Sequence, residues 1–283
     1  MFAPAAATPS APRPPGRDTS LSRVPIDPDL VGGLHLERMR RAGAAGDPTR
    51  AGVAFQTSTI AALLDGAYDG DMTLGEVLRH GDLGLGTVQA LDGELIVLDG
   101  EPWRAGADGR VTRLGPEVRT PFAAVVPFRP DRSAELAGPL SLEGLRARID
   151  ALAPEAAALA LRVDGRFSRV RARSVPRQRP PYRPLAEVVA EQVVFELPPG
   201  DGTVVGVRFP PAAGGLEVPG DHLHFLSRDR TAGGHVLELE IAAGRLQIDP
   251  VSELHVEVPR GLRLARGAPA ADASLLDRIE RGG

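Results

Sequence analysis

The residues best suited to chemistry are His222 and His224, separated by a single leucine, and His235 a short way on, so that three of the six histidines fall in one short stretch. In an extended chain, residues two apart point to the same side, so the two imidazoles of His222-Leu223-His224 share a face. Arg228 to Thr231 can turn the chain back, and a symmetric hairpin centred near Asp229 and Arg230 sets His235 opposite His224. Three imidazoles with no thiolate leave coordination positions open, which is the pattern of catalytic zinc. A lone buried histidine is usually hydrogen-bonded core, and it is the clustering beside Gly233-Gly234 that favours a metal here. Imidazole serves iron as well as zinc, so ligand type alone does not choose the ion. His80 and His255 read as structural, and His35 as a solvated residue.

Two further residue types could serve such a centre. Glu94 follows the Asp92-Gly93 turn and opens a strand on the same face as Ile96 and Leu98, so its carboxylate is expected on a buried face, where a proton donor or a salt-bridged structural glutamate could stand. Arg169, Arg171 and Arg173 alternate along another stretch and so share a face. Any of them could grip a carboxylate with a two-pronged guanidinium, and a solvated cationic face is the alternative. Glu280 near the chain end reads by itself as a surface charge.

Composition narrows the chemistry. The chain of 283 residues has no cysteine, which excludes thiolate ligands, iron-sulfur clusters, disulfides and a cysteine nucleophile. All 33 basic residues are arginine, so no lysine can form a Schiff base. A net charge of -4 offers no global attraction for nucleic acid or an anionic membrane. No run approaches the length of a membrane span, and the Ala/Pro-rich start lacks the pattern of a secretory signal, so a cytoplasmic location is expected.

The elements that must position these residues are short. Residues 1–50 carry little periodic apolar surface and read as a Pro/Ala/Arg-rich disordered tail with one polar helical fragment near Leu34 to Ala42. Ser58 is expected to cap a helix to Leu64, and Thr73 with Glu76 has capping-box spacing. Asp92-Gly93, Asp99-Gly100 and Asp108-Gly109 punctuate an antiparallel meander ending near Phe122 to Phe128. Ser141 caps a helix to about Leu152. Ala157 to Val163 and Phe167 to Val175, joined at Asp164-Gly165, read as a hairpin, and further strands continue to Val258. Asp272 opens a last helix through Ile279. The expectation is an α/β protein of the α+β type with largely antiparallel or mixed sheets: an N-terminal sheet domain over 51–140 and a metal-binding β domain over 141–283.

Three separated stretches then resemble one family. Phe55 to Arg104 (FQTSTIAALLDGAYDGDMTLGEVLRHGDLGLGTVQALDGELIVLDGEPWR), Arg171 to Pro184 (RARSVPRQRPPYRP), and PGDHLHF with TAGGH from Pro219 to His235 are similar to alpha-acetolactate decarboxylases. The resemblance implies one zinc ion per subunit on His222, His224 and His235, with Glu94 at the metal, Arg173 holding the substrate, and Thr87 beside it. Glu280, in DRIERGG, matches a C-terminal glutamate that folds back to the site. It further implies a homodimer formed through the N-terminal sheet. The implied reaction converts (S)-2-acetolactate to (R)-acetoin and carbon dioxide through a metal-stabilised enediolate, with Glu94 or Glu280 delivering the proton. Two departures stand out: Asp221 replaces an aromatic residue, which is expected to bring a charge near the metal, and Ala232 replaces a serine. The alternatives are a cupin-like oxygenase or isomerase, whose motif fits with imperfect spacing, and a metal-binding homologue without activity.

Overall fold

A computed structural model describes residues 51–258. The expectations for the 1–50 tail, His35, the helix after Asp272 and Glu280 lie outside the described residues.

The first half of the described chain is a meander. Strand β1 (Val53–Thr57) leads to helix α1 (Ile60–Leu64), then β2 (Met72–Thr73), α2 (Leu74–Val77), β3 (Leu83–Thr87), β4 (Glu94–Leu98), β5 (Glu101–Ala105), β6 (Val111–Arg113), β7 (Arg119–Thr120) and β8 (Phe122–Val126). Asp99-Gly100 closes the β4–β5 hairpin with both residues at positive φ, 54° and 76°, as a two-residue turn of right-handed twist demands. Thr73 and Glu76 form the expected capping box on α2. On α1 the cap is Thr59, whose hydroxyl accepts from Ala62 N, and not Ser58, which the chain holds at φ 65° to swing Thr59 into place.

The second half begins with β9 (Arg132–Ser141) and α3 (Leu142–Leu152), which Ser141 caps as expected. It continues through β10 (Ala158–Ser174), α4 (Leu185–Val189), β11 (Val193–Leu197), β12 (Gly200–Phe209), β13 (Gly220–Ser227), β14 (Gly233–Val251) and β15 (Glu253–Glu257). The hairpin expected at Asp164-Gly165 is instead one strand, β10, running straight through. Gly165 pairs with Gly202 on one side and Gly244 on the other, so the dipeptide lies mid-strand between two partners and not at a turn. A Cβ at Gly165 would stand 2.4 Å from the Ala243 carbonyl oxygen.

Seven strands form the first sheet in the order β15-β1-β8-β3-β4-β5-β6, antiparallel except for β15 beside β1. Six form the second, in the order β11-β10-β12-β13-β14-β9, and β10 also pairs with β14, closing a ring. This sheet-dominated α+β fold agrees with the expectation. The facing sides of the two sheets share one core: Leu83, Leu85, Ile96 and Leu98 pack with Val205, Val207, Phe209 and Leu226. Alternation therefore commits every other residue of β3, β4, β12 and β13 to the space between the sheets. Among the described residues no helix is long and apolar enough to cross a membrane.

Candidate metal centre and cleft

The β13–β14 hairpin turns at Asp229-Arg230, where Asp229 accepts from Thr231 and Ser227, and Arg230 takes a φ of 62°. Its register places His224 directly opposite His235, as the spacing predicts. His222 lies on the same face of β13. All three are buried, at 7%, 0% and 2% exposure, and their ring centroids lie 5.0 to 5.4 Å apart. One nitrogen of each lies within 4.8 Å of the others.

Electrostatics prepares these rings as ligands. Burial, helped by the nearby Arg173 charge, pushes the His222 pKa down to about 3. Burial also holds His224 well below the usual histidine range, with His222 and Arg173 adding to it and the bond to Leu95 opposing. Both are neutral at pH 7, the state in which imidazole binds a metal. His224 Nδ1 donates to the Leu95 carbonyl oxygen at 2.8 Å, which fixes the tautomer and leaves the Nε2 lone pair facing inward. That Nε2 is buried with no hydrogen-bond partner, an arrangement that a metal ion would satisfy. A three-nitrogen donor set of this kind fits a divalent ion such as zinc with positions to spare.

The expected accessory residues converge on the same point. Glu94 is 6% exposed on the Ile96 and Leu98 face of β4, with Oε2 3.6 Å from His224 Nε2. Arg173, 5% exposed and paired in register with His235, puts Nη1 3.1 Å from Glu94 Oε1, while its Nε is buried and donates to no acceptor. The three arginines do share a strand, but their surroundings differ. Arg169 and Arg171 reach out to Glu196 and Glu238, and only Arg173 is carried between the sheets. Ser174 ties this end of β10 to the first sheet by donating to the Ala105 carbonyl. Thr87 lies opposite Glu94 and donates its hydroxyl to the Gly93 carbonyl at 2.9 Å, so its oxygen keeps lone pairs to accept with.

Asp221 corrects one expectation. It lies on the opposite face of β13 from His222, with a side chain 5% exposed, and accepts from Arg208 Nε at 2.6 Å and Arg146 Nε at 2.9 Å. Its charge is matched there, and it anchors α3 to the second sheet without entering the metal centre. His80 and His255 are structural as expected: His80 stacks on Phe55 at 3.7 Å and His255 packs edge-on to both.

A cleft with about 440 Å³ of empty space opens on Thr87, Glu94, Arg173 and His222. Its other wall is apolar, made by Ile60 and Leu63 of α1, Leu185 and Val189 of α4, and Phe122. These wall residues were not singled out from the sequence, because an apolar residue lining a cleft and one filling a core carry the same signal.

Comparison with known proteins agrees with this geometry. The profile of the alpha-acetolactate decarboxylase family matches residues 54–265. The alpha-acetolactate decarboxylase of Methylococcus capsulatus is 44% identical over 206 residues, covering 72% of this chain and 79% of that protein. That of Bacillus subtilis is 37% identical over 72% of this chain and 81% of its own. The crystal structure of the enzyme from Bacillus subtilis strain 168 superposes with a TM-score of 0.76 at 33% identity, covering 82% of this chain and all (100%) of that one. The chain belongs to the alpha-acetolactate decarboxylase family. It is accordingly a carbon–carbon lyase by family, which sets aside the cupin-like alternative.

Proposed function

We propose that the protein converts (S)-2-acetolactate to (R)-acetoin and carbon dioxide, using one zinc ion held by His222, His224 and His235. The observation that carries this reading is the convergence of three buried imidazoles with a buried Arg173–Glu94 pair at the end of an otherwise apolar cleft. In the reaction the bond from C2 to the carboxyl carbon breaks, carbon dioxide leaves, and the electron pair passes through C2 to the ketone oxygen. A proton added at C2 completes acetoin. A divalent ion bound to the three histidines supplies Lewis-acid stabilisation for negative charge on the neighbouring hydroxyl and keto oxygens.

The chain's own residues do the rest. Arg173 is a permanent cation with spare donors, and it orients the substrate carboxylate until that group departs. Glu94 is its resting counterion, so the guanidinium is not left buried and unpaired between turnovers. Within reach of the same space, Glu94 can hold and return a proton, and Glu280 is the second residue assigned to that task. Thr87 accepts from the substrate hydroxyl. Ile60, Leu63, Phe122 and Leu185 receive the methyl groups and exclude water, which strengthens each of these interactions. By the same family resemblance, the working form is a homodimer, to be checked by sedimentation. Racemic acetolactate supplied to the zinc-loaded protein should yield acetoin and carbon dioxide in equal amounts, with (R)-acetoin from the (S) substrate. Consumption without acetoin, or racemic acetoin from the enantiopure substrate, would refute the assignment.

A further inference from the structure

We infer that Gln56 is a positioning residue for substrate selection, locking the apolar wall α1 to the loop that leads into the strand carrying His222; this rests on the proposed reading of the cleft. Gln56 lies on β1, wholly buried at 0% exposure, on the face of the first sheet that meets the second. Its Nε2 donates to two carbonyl oxygens, Ser58 at 2.8 Å and Leu216 at 2.7 Å. Both partners are acceptors, so only the amide NH₂ can serve there.

Each carbonyl belongs to a segment that shapes the cleft. Ser58 holds a left-handed φ of 65°, a conformation that a serine keeps only when its surroundings impose it. Its N–H donates to Glu257 O at 2.8 Å, and its carbonyl is held by Gln56. This turn sets the direction in which α1 leaves the sheet. Leu216 O also accepts from Ile60 N at 2.9 Å, and Gly215 O accepts from Ala61 N at 3.1 Å, so the loop before β13 satisfies the first free donors of α1. Two residues past Leu216, Val218 packs in the cluster with Ile60, Leu63 and Phe122, and the chain then runs into β13 and His222. One amide thus fixes both the wall that contacts the substrate's alkyl groups and the approach to the metal strand.

The test compares wild type, Gln56→Leu and Gln56→Glu, all zinc-loaded, on acetolactate and on the homologue with ethyl in place of the C2 methyl. Leucine removes both donors at similar volume, and glutamate keeps the shape but presents an acceptor to two acceptors. A pocket contact worth one methylene separates substrates by roughly 10- to 200-fold. Both variants should therefore raise KM for acetolactate more than they lower kcat, and move the ratio of kcat/KM between the two substrates by about threefold or more. Zinc content should stay at one per chain. The ratio is independent of how much protein is folded, so a poorly folding variant still gives an answer. An unchanged ratio in both variants would overturn the positioning role, whereas a wild type that fails to decarboxylate acetolactate would refute the reading of the cleft instead.

Discussion

Arg173 and Glu94 meet in a space where neither charge reaches bulk water, and that burial decides what substitution there does. Removing the guanidinium alone leaves a carboxylate uncompensated, so Arg173→Met should destabilise the metal-free protein by about 3–5 kcal/mol in urea unfolding. Adding Glu94→Gln to the same chain should recover most of that loss, because neither partner is then charged. Decarboxylation should not recover with it, since nothing remains to orient the substrate carboxylate. A double variant that regains activity along with stability would show that the pair is structural. The convergence of the three histidines could be read from their spacing, because strand alternation and a symmetric turn leave few other placements. Glu94 was legible only as a buried carboxylate: its partner Arg173 comes from a strand far away in sequence, and no local pattern links them. The effect of Asp221 was misplaced for a related reason. Its face was settled by alternation, but the arginines that neutralise it, Arg146 and Arg208, belong to other elements.

Among the elements, β10 carries the most weight, since it pairs with β11, β12 and β14 and delivers Arg173 to the site. Its course depends on Gly165, where the β14 backbone at Ala243 and Gly244 comes too close for a side chain. Gly165→Ala should cost about 1–3 kcal/mol of stability from overpacking, measured by thermal or urea unfolding. The strand end bearing Arg173 is tied separately through Ser174, so kcat of the folded fraction should stay near wild type. A large fall in kcat without loss of stability would mean that the close contact at Gly165 itself aims Arg173. The same glycine shows where sequence reading stops. Asp-Gly is a turn dipeptide when the flanking strands pair with each other, and Asp99-Gly100 and Asp164-Gly165 look alike in sequence. Only the partners of the flanking strands separate them: Glu101–Ala105 returns on Glu94–Leu98, whereas the chain from Phe167 onward pairs with β14 and, from Val170, with β11. Capping signals survive better because they are settled within one turn of helix, as at Thr73 and Ser141.

At the scale of the molecule, the two sheets enclose a polar site inside a shared apolar core, and pH acts on stability from the other face of the first sheet, where the half-buried His80 stacks on Phe55. Burial, with His255 and Arg79 adding to it, lowers the His80 pKa from 6.5 to about 4. The unfolded chain therefore binds this proton more readily than the folded one. The stability His80 contributes is present in full above pH 6.5 and is lost as pH falls toward 4, by about 2 kcal/mol after allowing for its partial exposure to solvent. In metal-free protein the stability difference between wild type and His80→Asn should shrink by about that amount from pH 7.5 to 4.5. A constant difference would show that His80 does not resist protonation. Above all, the account requires that strands β13 and β14 bring three imidazoles to one ion. X-ray absorption at the zinc edge of the loaded protein measures this directly. It should show about three imidazole nitrogens at ~2.0–2.1 Å, with the remaining ligands oxygen. A spectrum of oxygen ligands alone, or one unchanged in His235→Ala, would contradict it.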